Sequence, residues 1–232
     1  MANSMLITGT SKGLGKAMAD HYLAQGWQVA GCSRSDATIE HPDYQHYSLD
    51  VADEKAVTAM VREVHAAHGL DALINNAGIA AMNHLLLSSA GVARQIMETN
   101  VIGPFLFIRE AAKLMQRSGG GRIVNFTTVA VPLDLEGEAL YSASKAALES
   151  LTRVAARELG PMDILVNSIG PCPIPTDLTR QVPKEKLEAL IDRQALKRAG
   201  TVEDVFPVVD FLISPKSAFI TGQTLYLGGV FH

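Results

Sequence analysis

The chain has little cysteine, no basic run and no long apolar stretch, and each shortage excludes something. Its 232 residues include only two cysteines, Cys32 and Cys172. Two thiols cannot build a disulfide framework. They point to a reducing compartment, with each thiol a small buried filler. The seven histidines (21, 41, 46, 65, 68, 84 and 232) are dispersed, and no Cys/His group has zinc-site spacing, so no metal is expected. Lys and Arg number 20 against 24 Asp and Glu, the cations are scattered, and the net charge is −4. That balance argues against a nucleic-acid or anionic-membrane partner. No apolar run is long enough to span a bilayer. The N-terminus runs straight into Met5-Leu6-Ile7-Thr8, without the basic and apolar segments of a signal peptide. A cytoplasmic location is the default expectation.

What is present is alternation. Short apolar runs take turns with helical patterns, the signature of βαβ units and a parallel sheet. Strands are expected at Ser4–Thr8, Gln28–Cys32, Tyr47–Leu49, Ala72–Asn75, Arg122–Thr127, Ile164–Asn167 and Thr224–Leu227. Helices are expected at Leu14–Gln25, Asp53–Ala67, Leu140–Leu159, Lys184–Arg193 and Val202–Ile213. A long helical stretch, Gly91–Arg117, is expected to kink or break at Pro104. The resulting fold class is α/β: one Rossmann-type domain over residues 1–232, a doubly wound parallel sheet of about seven strands with helices on both faces. Ligands of such sheets bind beyond the carboxyl ends of the strands. Four motifs fall there, after Ile7, Ile74, Phe126 and Val166.

The first motif is Thr8-Gly9-Thr10-Ser11-Lys12-Gly13-Leu14-Gly15. Gly9 permits a tight turn, Gly13 lets the backbone approach a pyrophosphate, and Gly15 allows close helix–strand packing. The helix that follows opens with N–H groups facing the anion. Alone, such a loop can be a structural turn. Its spacing, Thr-Gly-x-x-x-Gly-x-Gly, resembles the cofactor fingerprint of the short-chain dehydrogenase/reductase family. Further matches cover nearly the whole chain: Asp50-Val51, Asn75-Asn76-Ala77-Gly78, Asn100-Val101, Tyr141-x-x-x-Lys145, Arg198-Ala199-Gly200-Thr201 and Thr221-Gly222-Gln223.

That resemblance implies a nicotinamide cofactor held by Gly9, Ser11, Lys12, Gly13, Leu14, Gly15, Ser33, Arg34, Asp50, Val51, Asn76, Ala77, Gly78, Tyr141, Lys145, Pro171, Ile174 and Thr176. Asp50 would contact adenine, and Ile174 and Thr176 the carboxamide. The choice between NADPH and NADH is one of charge. A carboxylate ending strand 2 would bind a ribose 2′-hydroxyl and repel a 2′-phosphate. This chain has Cys32-Ser33-Arg34 there, with Lys12 in the phosphate loop. Arg34 can meet a phosphate with paired donors. NADPH/NADP+ is therefore expected over NADH. The alternative is that both cations are simply solvated.

Tyr141 and Lys145, four apart, share one helix face. A phenol transfers protons poorly at neutral pH unless its ionised form is stabilised, which a neighbouring ammonium does. By resemblance, Tyr141 passes a proton to a carbonyl oxygen, or takes one from an alcohol, as hydride is transferred. Lys145 lowers the tyrosine pKa and bonds the nicotinamide ribose. Asn100 holds a water against Lys145, or caps a helix bulge. The family's remaining catalytic serine is here Thr128, thirteen residues before Tyr141. Thr keeps the hydroxyl donor and adds a methyl group. Two readings stand: a working enzyme with a tighter pocket, and a slow one.

Two other positions depart from the family. Pro171-Cys172 replaces its usual Pro-Gly, and Tyr226-Leu227-Gly228-Gly229 lacks its frequent Asp. The substrate-loop segment, about 171–200, is short and resembles that of β-ketoacyl thioester reductases. Where those proteins carry basic docking residues for a carrier protein, this chain has Gly119 and Met162, leaving Arg117, Arg122 or Arg180 as substitutes. Ile79–Leu87 lines the pocket or packs into the core. The expected partner is a small carbonyl or alcohol substrate, with an acyl thioester as one candidate. The alternatives are an NAD(P)-dependent alcohol or dihydrodiol dehydrogenase and a weakly catalytic NADP-binding sensor or assembly subunit. A homotetramer or homodimer is implied by resemblance, with Val205, Val208, Val209 and Leu212 forming either a partner face or a core face.

Overall fold

The computed structural model describes residues 3–176, 179 and 182–231. Seven parallel strands form one sheet in the order β3-β2-β1-β4-β5-β6-β7. They are β1 (Ser4–Thr8), β2 (Gln28–Ser33), β3 (Tyr44–Ser48), β4 (Ala72–Asn75), β5 (Gly121–Phe126), β6 (Ile164–Gly170) and β7 (Thr224–Tyr226). The order reverses between β1 and β4, which opens the crevice where such sheets bind ligands.

Alternate residues of a strand face opposite sides, and here both sides are apolar. Leu6, Leu73, Ile123 and Val166 meet α2 (Glu54–His68), α4 (Gly103–Met115) and α6 (Ala139–Leu159) in one buried cluster. Met5, Ile7, Ile74, Val124 and Ile169 meet α1 (Gly13–Ala24) and α8 (Phe206–Ile213) in another. Truncating a fully buried residue such as Leu6 to Ala costs about 2–5 kcal/mol in cores of this kind. Val205, Val209 and Leu212 belong to this second cluster, so they form a core face, and Val208 packs partly buried against it.

Several boundaries differ from the sequence reading. The 91–117 stretch is not one kinked helix. It divides into α3 (Ala90–Met97), a π-helical turn at Glu98–Ile102, and α4. Pro104 sits in the first turn of α4, directly after the π-helical turn. The break therefore lies before the proline, at Asn100. β6 runs three residues further than expected, because Ser168, Ile169 and Gly170 pair with β7 on one side and Ser168 and Ile169 with β5 on the other. β3 begins earlier, at Tyr44, which pairs with Val29. Val202–Asp204 forms a separate 3-10 turn ahead of α8. α5 (Ala130–Leu133) and a 3-10 turn at Leu85–Leu87 were not expected; α7 is Lys184–Asp192.

Candidate active site

The glycine loop leaves β1 and enters α1, which opens at Lys12 without a side-chain cap. Gly9 and Gly13 have positive φ, 79° and 59°. A Cβ on Gly15 would strike the Gly9 carbonyl oxygen and the Asn76 amide, and one on Gly9 would come 3.0 Å from Ala77 Cα. The loop is pinned to the end of β4: Asn76 and Ala77 N–H both donate to Thr8 Oγ1 at 3.0 Å, and Asn76 Nδ2 donates to the Thr8 carbonyl at 2.9 Å. Thr176 lies across from Gly13, 3.9 Å from where a Cβ would stand. A cradle that a Cβ would fill, opening on helix N–H groups, fits a dinucleotide pyrophosphate.

Around this cradle the other expected cofactor residues are placed unevenly. Ser33 ends β2 and its hydroxyl donates to the Ser35 carbonyl at 2.8 Å. Arg34 is exposed beside it. Thr38 Oγ1 donates to the Ser11 carbonyl at 2.9 Å, tying the segment after β2 to the loop. Asp50 is exposed and its Oδ1 accepts from Ala52 N–H at 3.0 Å, a turn-holding bond. Val51 is buried against Gly103. Pro171, Cys172 and Ile174 follow β6, and the Ile174 carbonyl accepts from Thr179 Oγ1 at 2.8 Å. Cys172 does not take a glycine-like conformation: among the described non-glycine residues only Asp134 and Asp163 have positive φ. Its sulfur packs where Gly200 lacks a side chain, and burial pushes its thiol up.

On α6, Tyr141 and Lys145 are both buried, at 8% and 4% exposure. The Lys145 ammonium lies 5.9 Å from the Tyr141 ring centre and donates to the Phe126 carbonyl, at the end of β5, at 2.6 Å. The same strand end leads to Thr128, whose hydroxyl lowers the Tyr141 pKa and accepts from Ala130 N–H at 3.2 Å. Asn100, fully buried in the π-helical turn, exchanges two 2.9 Å bonds with the Ile79 backbone and donates to Ser144 Oγ at 3.0 Å. A Cβ on Gly78 would lie 3.3 Å from Lys145 Nζ and 3.4 Å from Asn100 Oδ1, so those two polar atoms flank one point. Asn100 thus does hold a helix bulge. The four residues that the sequence singled out for chemistry converge at the carboxyl ends of β4 and β5.

Burial dominates the titration of the pair. It pulls Lys145 down to about 8. It pushes Tyr141 up to about 12; the Glu138 charge adds to this, and the Thr128 bond opposes it. Glu138 itself is raised by burial and lowered by Lys186.

The sequence reading also missed residues. Glu149, 5% exposed and two helical turns after Tyr141, accepts from Thr127 Oγ1 at 2.6 Å and Tyr226 Oη at 2.8 Å through one oxygen. It ties α6 to the ends of β5 and β7. Only the i, i+4, i+8 spacing 141–145–149 could have signalled it. Leu85, Leu86 and Leu87 are 64%, 86% and 79% exposed, so the Ile79–Leu87 segment does not pack into the core. Asn83 N–H donates to the Gly137 carbonyl at 2.9 Å, which sets that segment beside the start of α6. Of the cations considered for carrier docking, Arg122 is engaged by the Gly121 and Asp163 carbonyls, and Arg180 lies outside the described residues.

A parallel sheet with this strand order, a three-glycine crossover and a Tyr/Lys pair at the strand ends defines a class, and the comparisons agree. The chain belongs to the short-chain dehydrogenase/reductase family: the family described as enoyl-(acyl carrier protein) reductase matches residues 9–232. The 3-oxoacyl-(acyl-carrier-protein) reductase FabG of Staphylococcus aureus is 35% identical over 240 residues, covering 99% of this chain and 98% of that protein. The FabG of Vibrio cholerae is 32% identical over 231 residues, covering 97% and 95%. Among solved structures, the aldohexose dehydrogenase of Thermoplasma acidophilum superposes with a TM-score of 0.89 at 28% identity, over 99% of this chain and 94% of that one. ElxO with NADP bound gives 0.89 at 28%, over 98% and 97%. The chain is an NAD(P)-dependent oxidoreductase acting between CH–OH and C=O groups. Among the described residues, no helix is long and apolar enough to cross a membrane and no group of acidic, Cys and His residues could hold a metal.

Proposed function

We propose that the protein is an NADPH-dependent ketoreductase in which Tyr141 protonates the carbonyl oxygen of a 3-oxoacyl thioester. The observation that carries this reading is the Lys145 ammonium, anchored on the Phe126 carbonyl beneath the Tyr141 ring. When bound, the nicotinamide supplies the hydride. Tyr141, pushed up to about 12 chiefly by burial, is protonated at neutral pH, the state a proton donor needs. Thr128 offers the second hydroxyl against the developing oxyanion. Lys145 favours the tyrosinate left behind, and the point flanked by Lys145 Nζ and Asn100 Oδ1 suits a relaying water. The exposed Leu85–Leu87 turn offers an apolar acyl chain a surface to lie on. The relatives' name, 3-oxoacyl-(acyl-carrier-protein) reductase, supports the thioester class.

The test follows NADPH consumption with acetoacetyl-CoA, an acetoacetyl carrier-protein thioester and simple ketones. Turnover on either thioester above the ketones supports the reading. Turnover confined to alcohols with NADP+ removes it.

Cofactor choice rests on Arg34, exposed after β2 with no carboxylate on either neighbouring serine. Arg34→Asp is expected to weaken NADPH binding on the order of a hundredfold and NADH far less, by the charge and bidentate-donor argument. Equal loss of both would remove the role of Arg34. We also infer a cytoplasmic enzyme that assembles as a homodimer or homotetramer. Phe105 and Val154, 40% and 50% exposed, line an apolar groove between α4 and α6 that suits a second copy.

A further inference from the structure

Three segments meet behind the end of β2 in an unbroken line of side-chain hydrogen bonds. Thr10 Oγ1, fully buried, lies 2.8 Å from Tyr44 Oη. Tyr44 Oη lies 2.8 Å from His46 Nδ1. His46 Nε2 lies 3.0 Å from the Ser35 carbonyl and 3.3 Å from Ser33 Oγ. The directions follow from the far end. A carbonyl can only accept, so His46 Nε2 carries the hydrogen, and Nδ1 of the neutral ring accepts from the Tyr44 hydroxyl. Tyr44 then accepts from Thr10. The Thr10 bond does lower the Tyr44 pKa against the larger rise from burial, as a donor to the phenol oxygen must.

The sheet does not need this line, because β2 and β3 pair through their backbones. It does need Gly31, at the middle of β2: a Cβ there would strike both Tyr44 Oη and Thr10 Oγ1. The line ends on the two serines that bracket Arg34. The Ser35 carbonyl accepts from His46 Nε2 and also from Ser33 Oγ, at 2.8 Å. If Ser33 rotates its hydroxyl toward an incoming phosphate, His46 still satisfies that carbonyl.

We propose that His46 is a positioning residue for the 2′-phosphate of NADPH. It holds the Ser35 carbonyl, frees the Ser33 hydroxyl to donate to the phosphate, and keeps Arg34 in a fixed frame between them. The proposal rests on the reading that Arg34 meets that phosphate. NADH offers only a hydroxyl at the same place and does not call on these donors.

The test measures the Kd of NADPH and of NADH by nicotinamide fluorescence on His46→Leu, His46→Gln, Tyr44→Phe and Arg34→Ala. His46→Leu is expected to weaken NADPH about tenfold and to leave NADH within about twofold, the scale of one hydrogen bond to a charged group. His46→Gln, whose amide can donate to the Ser35 carbonyl, is expected to recover most of the loss. Tyr44→Phe is expected to fall between them. Equal weakening of both cofactors by His46→Leu, or unchanged NADPH binding, overturns the proposal. If Arg34→Ala loses the NADPH preference while His46→Leu keeps it, only this proposal fails. If Arg34→Ala keeps the preference, the reading beneath it fails and the proposal falls too.

Discussion

Tyr141→Phe is expected to lower kcat about a thousandfold while leaving the Kd of NADPH almost unchanged. General acid transfer by a placed side chain contributes about 10²–10⁴-fold, and removing the hydroxyl forfeits that share alone. The ring stays because its burial stays: Tyr141 is 8% exposed and Phe fills nearly the same volume. Thr128 keeps its bond from Ala130 N–H, so the oxyanion side of the site persists. Lys145 keeps the Phe126 carbonyl, so the cofactor side persists as well. The cost therefore falls on kcat with the cofactor Kd spared, and steady-state kinetics beside fluorescence titration reads both. Retention of more than about a tenth of wild-type turnover would mean that another group delivers the proton. Loss of NADPH binding in step with turnover would mean that the variant has disturbed the cradle.

The elements that position this site were legible where the chain announces itself locally. The glycine loop between β1 and α1, the β4 end at Asn75-Asn76-Ala77-Gly78 and the Tyr141–Lys145 spacing each carry a short-range pattern. Side chains joined across long separations were not legible. Tyr44 is 34 residues from Thr10, and Tyr226 is 77 from Glu149; no period or turn signal connects either pair. The break at Asn100 escaped for the same reason. The 91–117 pattern is apolar and helical, while the bonds that hold Asn100 in the π-helical turn reach Ile79 and Ser144, 21 and 44 residues away. β3 was clipped because Tyr44-Gln45-His46 reads as polar. Its pairing with Val29, Ala30 and Gly31 shows that an edge strand can be held by its ladder without an apolar run. The raised Tyr141 pKa could not be read from Tyr-x-x-x-Lys, since it comes from burial by the whole fold.

Buried charge at Lys145 sets the second large effect. A nearby ammonium favours an ionised phenol by roughly 1–3 pKa units, so Lys145→Met is expected to lower kcat about a hundredfold at neutral pH. The wild-type kcat/KM is expected to fall as pH rises past about 8, when Lys145 loses its proton, and the variant lacks that limb. The same burial predicts a stability signature of defined sign. The folded value, about 8, lies below the ordinary 10.5, so folding must either hold the charge at a cost or expel the proton. The cost is present in full below about 8 and disappears as pH rises through 10.5. It amounts to about 3 kcal/mol. Lys145→Met removes that cost but leaves the Phe126 carbonyl unpaired, worth about 1–3 kcal/mol. The two proteins are therefore expected to be close in stability at neutral pH. The wild type should pull ahead by about 3 kcal/mol above the ordinary lysine range, where its neutral amine still donates to Phe126. Urea unfolding of both across this range measures the difference directly. A pH-independent gap would mean that Lys145 is hydrated in the folded protein and that its ammonium is too well screened to act on Tyr141. A gap that opens as catalysis fails would identify one buried charge as the source of both the instability and the rate.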